Sequence, residues 1–92
     1  MNQSSEIKIG HSPIIFYYKI AIEILNRLDY LPLIILARGK MIYRAIDLLE
    51  ILKKNLGSKI KIVSIESGTI VLKNKSGIDF NCSTIQIVLK EF

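Results

Sequence analysis

The 92-residue sequence predicts one α+β domain, built in two layers with the element order β-α-β-α-β-β. Three observations indicate this fold. Two segments repeat apolar residues with a helical period, a short apolar or alternating segment precedes each of them, and two alternating segments joined by a basic turn end the sequence. No internal repeat, linker or low-complexity tract divides the chain, so we assign residues 1–5 to a disordered polar start and residues 6–92 to a single domain.

The first half of the sequence predicts a strand, a helix and a second strand. Residues 6–9 alternate polar and apolar, as in a half-buried strand, and Ser12-Pro13 then supplies an N-cap and a first helical position. The helix is expected over Pro13–Leu28, and residues 29–32 predict a turn. The unbroken apolar residues of Leu33–Ala37 predict a strand covered on both faces. The predicted buried stripe of the helix comprises Ile14, Tyr18, Ile22 and Leu25.

The second half predicts a helix and a long hairpin. The helix is expected from Lys40 to Leu56, ending before Gly57 as a C-cap residue. Lys59–Ser67 alternates as a strand that Thr69–Leu72 extends, Lys73–Gly77 reads as a basic hairpin tip, and Ser83–Glu91 as the last strand. The predicted buried residues are Ile42, Ala45, Ile46, Leu49, Leu52 and Leu56 in the helix, and Ile60, Ile62 and Ile65 in the first hairpin strand.

Composition limits the class of protein. Half of the residues are hydrophobic and the mean hydropathy is +0.37, so we expect a dimer or higher oligomer that covers part of this apolar surface. Thirteen Lys and Arg against eight acidic residues give a net charge of +5, which favours a polyanionic partner. The lone Cys82 is typical of a reducing compartment. No signal peptide or bilayer-spanning segment is recognisable, so we expect a cytoplasmic protein.

Residues that could carry catalysis or hold a metal are scarce. His11 is the only histidine and Cys82 the only cysteine, so a histidine-pair site and a zinc–cysteine cluster are both excluded. Nothing local supports a Cys82–His11 nucleophile pair, and a structural thiol explains Cys82 better. No GxGxxG or GxxxxGK[ST] motif is present. We therefore expect no enzyme activity, no metal and no cofactor.

Basic residues gather where the predicted second strand passes into the second helix. Arg38 and Lys40 flank Gly39, and Arg44 follows one turn later, projecting the same way as Lys40. Free backbone amides at a helix start, beside guanidinium and ammonium groups, form an anion site, and a nucleic-acid phosphate is one such anion. Spacing alone gives equal weight to a second interpretation, in which these side chains are solvated and keep a hydrophobic protein soluble.

The remaining candidate residues each allow two interpretations. Lys73 and Lys75, at the predicted hairpin tip, either reach into a groove or solubilise a loop. Phe16 falls within the polar stripe of the first helix, where an exposed aromatic side chain stacks on a base or, as we expect, contacts another subunit. Lys53 and Lys54 suit the negative end of the second helix dipole, which explains them without a ligand.

Three stretches resemble the Alba family of archaeal chromatin proteins. "ARGKMIYRAIDLLEILKKNL" is similar to the family's strand ending in Ala-Arg-Gly, its following basic residues and its Ala-[Val/Ile]-Asp helix. "IKIGHSPIIFYY" resembles the family's first strand, Gly-x-x-Pro turn and first helix, and "STIQIVLK" resembles its final strand. Together the three stretches extend the resemblance from about Glu6 to Lys90, in the same element order.

The resemblance implies a dimeric nucleoid protein with a fold similar to the C-terminal domain of the third translation initiation factor. Such a protein binds double-stranded DNA with little sequence preference, and often RNA. In the dimer the second helices and last strands would pack together, giving Ile51 a partner, and the hairpin would be an arm along the minor groove. The implied nucleic-acid-binding residues are His11, Ser12, Arg38, Lys40, Arg44, Lys53, Lys54, Lys73 and Lys75.

Two departures from the family pattern change what we expect. The family turn often reads Gly-Lys-Lys-Pro, but His11 and Ser12 stand at the lysine positions, so acetylation control there is excluded and DNA binding should be weaker and strongly salt-dependent. The hairpin tip carries lysines but no arginine, the residue that narrow minor grooves favour. Two alternatives stay open: an RNA-binding Alba-type subunit of a ribonucleoprotein such as ribonuclease P, and a hetero-oligomerisation partner of another Alba protein with little nucleic-acid binding of its own.

Overall fold

Two α-helices pack on one face of a four-stranded sheet. The computed structural model describes residues 5–27 and 32–91. The elements are β1 (Ser5–Lys8), α1 (Ile14–Arg27), β2 (Leu33–Arg38), α2 (Ile42–Leu56), β3 (Ile60–Lys73) and β4 (Asp79–Glu91), with short 3-10 turns at Gly39–Met41 and Gly57–Lys59 on either side of α2. The predicted β-α-β-α-β-β order and the two-layer class are confirmed.

The strand order in the sheet is β1-β2-β4-β3. β1 runs parallel to β2, and β4 runs antiparallel to both β2 and β3. Ile35 lies opposite Ile87, and Leu33 lies opposite Leu89, and all four side chains are fully buried. The core therefore lies between the helices and the centre of the sheet. The helices contribute Tyr17, Ala21, Ile24, Leu25, Ala45, Leu48, Leu49 and Leu52 to it.

The prediction that β2 is covered on both faces is wrong. Leu33, Ile35 and Ala37 are buried beneath the helices, whereas Ile34 and Leu36 are half-exposed on the opposite face. Right-handed crossovers that step in the same direction across a sheet place their helices on one side, and α1 and α2 do contact each other. An unbroken apolar strand therefore does not require a second helical layer here.

α1 buries a different face from the predicted one. Tyr17, Ala21 and Ile24 are buried, whereas Tyr18 and Ile22, both in the predicted stripe, pack only at the border of the core. The helix is apolar around most of its circumference, so periodicity allows more than one buried face. Tyr17 enters the core because its hydroxyl oxygen accepts a hydrogen bond there.

α2 ends as predicted but begins later and is rotated. Its end at Gly57 is confirmed, with a φ of 54° and an N–H that donates to the Lys53 carbonyl. The 3-10 turn comes before the α-helix, which starts at Ile42 instead of Lys40. Leu48 is fully buried, whereas Ile46, expected in the core, is 37% exposed.

The β3–β4 hairpin is longer than the sequence predicts. β3 continues through Gly68 to Lys73, and β4 begins at Asp79 instead of Ser83. The turn is closed by Asn74, whose side-chain oxygen accepts the backbone N–H groups of two residues, Ser76 and Ile78.

Only part of the predicted inward face of β3 is buried. Ile60 is 7% exposed, but Ile62 and Ile65 are 37% and 50% exposed, although they lie opposite the buried Leu89 and Ile87. They therefore face the helix side of the sheet without being covered. β3 is an edge strand, and a bulge between Ile62 and Ser64 shifts its register.

Some predictions fall wholly or partly outside the described residues. These are the disordered start over residues 1–4, the end of the first helix at Leu28, and residues 29–31 of the predicted turn. Ser5, assigned to the disordered start, belongs to β1 instead. Within residues 5–27 and 32–91, no helix is both long enough and apolar enough to cross a lipid bilayer.

Candidate nucleic-acid interface

β1 and β2 end at one edge of the sheet, and the hairpin continues beyond that edge. The last pair of β2 joins Arg38 to Thr84, which also pairs with Gly68. Five further pairs, from Thr69–Ser83 to Lys73–Asp79, join β3 only to β4. At about 3.3 Å per residue, these pairs extend roughly 15 Å past the ends of β1 and β2. We call residues 69–83 the arm.

The β2–α2 junction turns sharply at the base of the arm. Gly39 has a φ of 58°, in the left-handed region that side chains disfavour. A Cβ atom there would lie 3.5 Å from the sulfur of Cys82, so the junction packs against β4. Arg38 and Lys40 on either side are exposed. Neither side chain makes a hydrogen bond or ion pair within the described residues, so both cations are available to an anionic ligand.

A groove of about 690 Å³ lies in the angle between the arm and the body of the sheet. Lys8 and Arg38 give its wall positive charge, while Glu66 adds one negative charge. Thr84 and Gln86 contribute neutral hydrogen-bonding groups. The groove therefore continues the surface of the junction towards the open face of the sheet.

Arg44 lies between the loops and not beside Lys40. Its guanidinium donates hydrogen bonds to the carbonyl oxygens of Gly10 and Ser12, and its Cζ atom lies 5.9 Å from the centroid of the Tyr17 ring. Arg44 is half-buried whereas Lys40 is exposed, so the prediction that the two side chains project the same way is wrong. A carbonyl pair 32 and 34 residues away draws the guanidinium inward.

Tyr17 completes this cluster. Its hydroxyl oxygen accepts a hydrogen bond from the Gly10 amide at 2.8 Å. Burial acts to raise the pKa of Tyr17, but hydrogen bonds from Gly10 and Ser12 and the positive charge of Arg44 outweigh it and lower the pKa below its ordinary value. The ring therefore lies in electropositive surroundings.

The loop between β1 and α1 reaches the same edge as the β2–α2 junction. His11 is exposed and Ser12 half-buried in this loop. Phe16, on the first turn of α1, is 51% exposed, and its ring meets Tyr17 edge-on with centroids 5.5 Å apart. The structure thus brings His11, Ser12, Arg38 and Lys40 to one edge. The expectation that Phe16 is exposed is met, while its contact with a subunit stays a prediction.

Other predicted residues lie elsewhere. Lys53 and Lys54 occupy the last turn of α2, roughly 20 Å along the helix axis from Lys40, so the structure does not join them to the junction. Lys53 instead lies 3.7 Å from the carboxylate of Glu50. Ile51 is half-buried and not fully exposed as expected.

The two arm lysines differ in their surroundings. The ammonium group of Lys73 lies 2.7 Å from the carboxylate of Asp79, whereas Lys75 is exposed in the turn. Asp79 and Tyr17 are the residues of this region that sequence reasoning missed. The hairpin register, Lys73 opposite Asp79, would have revealed the first pair, but no local signal links Tyr17 to Arg44.

Comparison with known proteins gives a consistent result. The Alba family model matches residues 5–69. A DNA/RNA-binding protein Alba of Methanococcus maripaludis is 32% identical over 83 residues, covering 90% of this chain and 93% of that protein. A protein of the same name from Methanocella arvoryzae is 30% identical over 90 residues, covering 98% of this chain and 93% of that protein.

Solved structures agree. Alba from Thermoplasma volcanium superposes with a TM-score of 0.80 at 30% identity, covering 94% of this chain and 99% of that one. ALBA1 from Trypanosoma brucei, at 17% identity and a TM-score of 0.75 over 99% of this chain and 72% of that one, shares the fold. The resemblance read from the three sequence stretches is confirmed, and the chain belongs to the Alba family.

Proposed function

We propose that this protein binds double-stranded DNA with little sequence preference, as an architectural chromatin protein in the cytoplasm. The observation that carries the proposal is the pair of exposed cations, Arg38 and Lys40, at the base of an arm that extends past the sheet edge. Two relatives at 30% identity or more are named DNA/RNA-binding proteins. The net charge of +5 also favours a polyanion.

The chemistry of this edge suits a phosphate backbone. Arg38 provides a planar fork of N–H donors that matches a phosphate, and Lys40 provides a compact point charge beside it. Contacts of this kind fix a protein on a duplex but carry no base information. The arm, two strands wide, follows the backbone beyond the junction and places Lys75 at its far end. The expected result is binding that depends on charge and shape instead of base sequence.

A dimer would double this surface. Ile46, Ile62 and Ile65 are exposed apolar side chains, and Ile62 and Ile65 continue the helix side of the sheet past its buried centre. Exposed apolar side chains on an edge strand are stabilised when a second chain covers them. We propose that this surface pairs either with another copy of the chain or with a paralogue. Two junctions and two arms would then act on one nucleic acid.

RNA is the second candidate ligand, because the relatives' names include it and because the groove beside Arg38 holds neutral hydrogen-bonding groups. Thr84 and Gln86 line that groove together with Glu66. Such groups can bond 2′-hydroxyls and unpaired base edges, which duplex DNA does not present there.

A fluorescence-anisotropy titration would test the proposal, with two unrelated duplex DNA sequences and an RNA of equal length at several salt concentrations. We expect similar affinity for both DNA sequences and a steep fall with salt, with a log–log slope of roughly −0.9 per phosphate neutralised. A clear preference for structured RNA would support the ribonucleoprotein alternative. Binding to neither nucleic acid would overturn the proposal and favour a hetero-oligomerisation subunit.

A further inference from the structure

Arg44 is the one cation of this edge whose donors are already engaged. Its two terminal nitrogens each donate to a backbone carbonyl, one on Gly10 and one on Ser12. Two parallel N–H groups on a planar guanidinium can bond two acceptors at once, whereas an ammonium group lacks this fork. Any phosphate that bound Arg44 directly would have to compete with both carbonyl oxygens.

The loop that Arg44 holds is also fixed from its other side. The Gly10 amide donates to the Tyr17 hydroxyl oxygen, so Gly10 is bonded through both its N–H and its carbonyl. A Cβ atom at Gly10 would lie only 3.3 Å from that hydroxyl oxygen, which leaves little room for a side chain there. Tyr17 belongs to α1 and Arg44 to α2, so the cluster joins the starts of both helices.

We infer that Arg44 is a positioning residue that holds the Gly10–Ser12 loop against the β2–α2 junction and leaves phosphate contact to Arg38 and Lys40. The inference rests on the proposed function, because the loop and junction together form the proposed nucleic-acid edge. A loop that is held in place before the ligand arrives loses less conformational entropy on binding. Arg44 would thus raise affinity without neutralising a phosphate.

The salt dependence of binding separates positioning from contact. Removing a phosphate contact lowers the magnitude of the log–log salt slope by about 0.9, whereas removing a positioning residue lowers affinity and leaves the slope unchanged. For Arg44→Ala we expect about tenfold weaker binding to duplex DNA, as for the loss of one charge-assisted hydrogen bond, with the wild-type slope. Lys40→Ala should reduce the slope. Lys59→Ala, in the 3-10 turn after α2, serves as the matched control and should change neither quantity.

Two further variants test the clamp by other routes. Arg44→Lys keeps the charge but cannot bond both carbonyls in the same way, so it should remain nearly as weak as Arg44→Ala. Tyr17→Phe removes the acceptor of the Gly10 amide without changing the charge at neutral pH, and should also weaken binding with an unchanged slope. Restoration of wild-type affinity by Arg44→Lys, together with a reduced slope in Arg44→Ala, would overturn the inference in favour of a direct phosphate contact.

Readouts on the free protein separate this inference from the proposed function. In Arg44→Ala and Arg44→Lys, the Gly10 amide should exchange with solvent faster than in the wild type by NMR, while core amides such as that of Ile87 keep their protection. In an alkaline absorbance titration, Arg44→Ala should raise the pKa of Tyr17, because the lowering charge is gone. Unchanged Gly10 exchange would overturn the inference. Absence of nucleic-acid binding in the wild type would overturn the proposed function alone, because both free-protein readouts would still decide the role of Arg44.

Discussion

Arg38 and Lys40 reach solvent on both sides of Gly39, which turns the chain between β2 and α2. Because neither cation is neutralised by an acid within the described residues, each is free to displace counterions from a phosphate backbone. We predict that Arg38→Ala and Lys40→Ala each weaken binding several-fold, and about equally for unrelated DNA sequences. Anisotropy titrations at three or more salt concentrations would measure both the affinity and the slope, which should fall in magnitude by about 0.9 per variant.

Lys59→Ala removes the same charge at the other end of α2 and controls for the general electrostatic field. If Arg38→Ala and Lys40→Ala bind with unchanged affinity and slope, the junction is not the contact surface. A loss confined to one DNA sequence would instead indicate base recognition, which the geometry of the junction does not predict.

The secondary elements show which properties of the fold the sequence determines locally. Strand and helix order follows from the periods of 2 and 3.6, which short windows reveal, and Gly57 marks the helix end because few other residues adopt its φ of 54°. The buried faces of both helices do not follow, because α1 is apolar on several sides. Leu48 instead of Ile46 enters the core because the sheet lies on that side, which is tertiary information.

The site shows the same division. Arg38 and Lys40 were predictable because a strand end, a glycine and a helix start lie within a few residues of one another. The role of Arg44 was not predictable, because its acceptor Gly10 is 34 residues away and belongs to another loop. The length of the arm also depended on pairing, since Gly68 looks like a strand terminator until Thr84 is seen opposite it.

The rotation of α1 can be tested with two isoleucines two positions apart. Ile24 is 6% exposed in the core, whereas Ile22 lies at its border. We predict that Ile24→Ala lowers the free energy of unfolding by about 3 kcal/mol, and Ile22→Ala by roughly half as much. Urea denaturation followed by circular dichroism would measure both. Equal losses, or a larger loss for Ile22→Ala, would restore the face predicted from periodicity.

The arm carries a charge pair that limits its attraction for phosphate. Asp79 lies 2.7 Å from Lys73, and both are exposed, so the pair contributes little to stability. We predict that Asp79→Asn increases affinity for duplex DNA several-fold and steepens the salt slope, because it frees Lys73 and removes a repelling charge. Lys75→Ala should have the opposite effect on both quantities. Unchanged affinity in both variants would mean that the arm does not contact the nucleic acid.

At the scale of the whole molecule, the described residues measure 45 × 28 × 19 Å, and the arm accounts for much of the longest dimension. A domain of this size buries a modest share of its surface, and the uncovered Ile62 and Ile65 add to the apolar area left in water. Covering such side chains gains about 25 cal/mol for each Å² removed from water, before the cost of association. The proposed dimer would place that gain beside the core.

We predict that Ile65→Asp converts the dimer to a monomer, because a carboxylate buried against apolar side chains pays a desolvation cost without a partner. Sedimentation equilibrium at several concentrations would measure the change in mass. Ile78→Asp is the matched control, since Ile78 is 62% exposed in the arm turn, away from the proposed interface, and its variant should remain dimeric. The Ile65→Asp monomer should also bind DNA with about half the wild-type salt slope, because one junction and one arm remain. A wild-type monomer, or an Ile65→Asp dimer, would show that this surface does not form the interface.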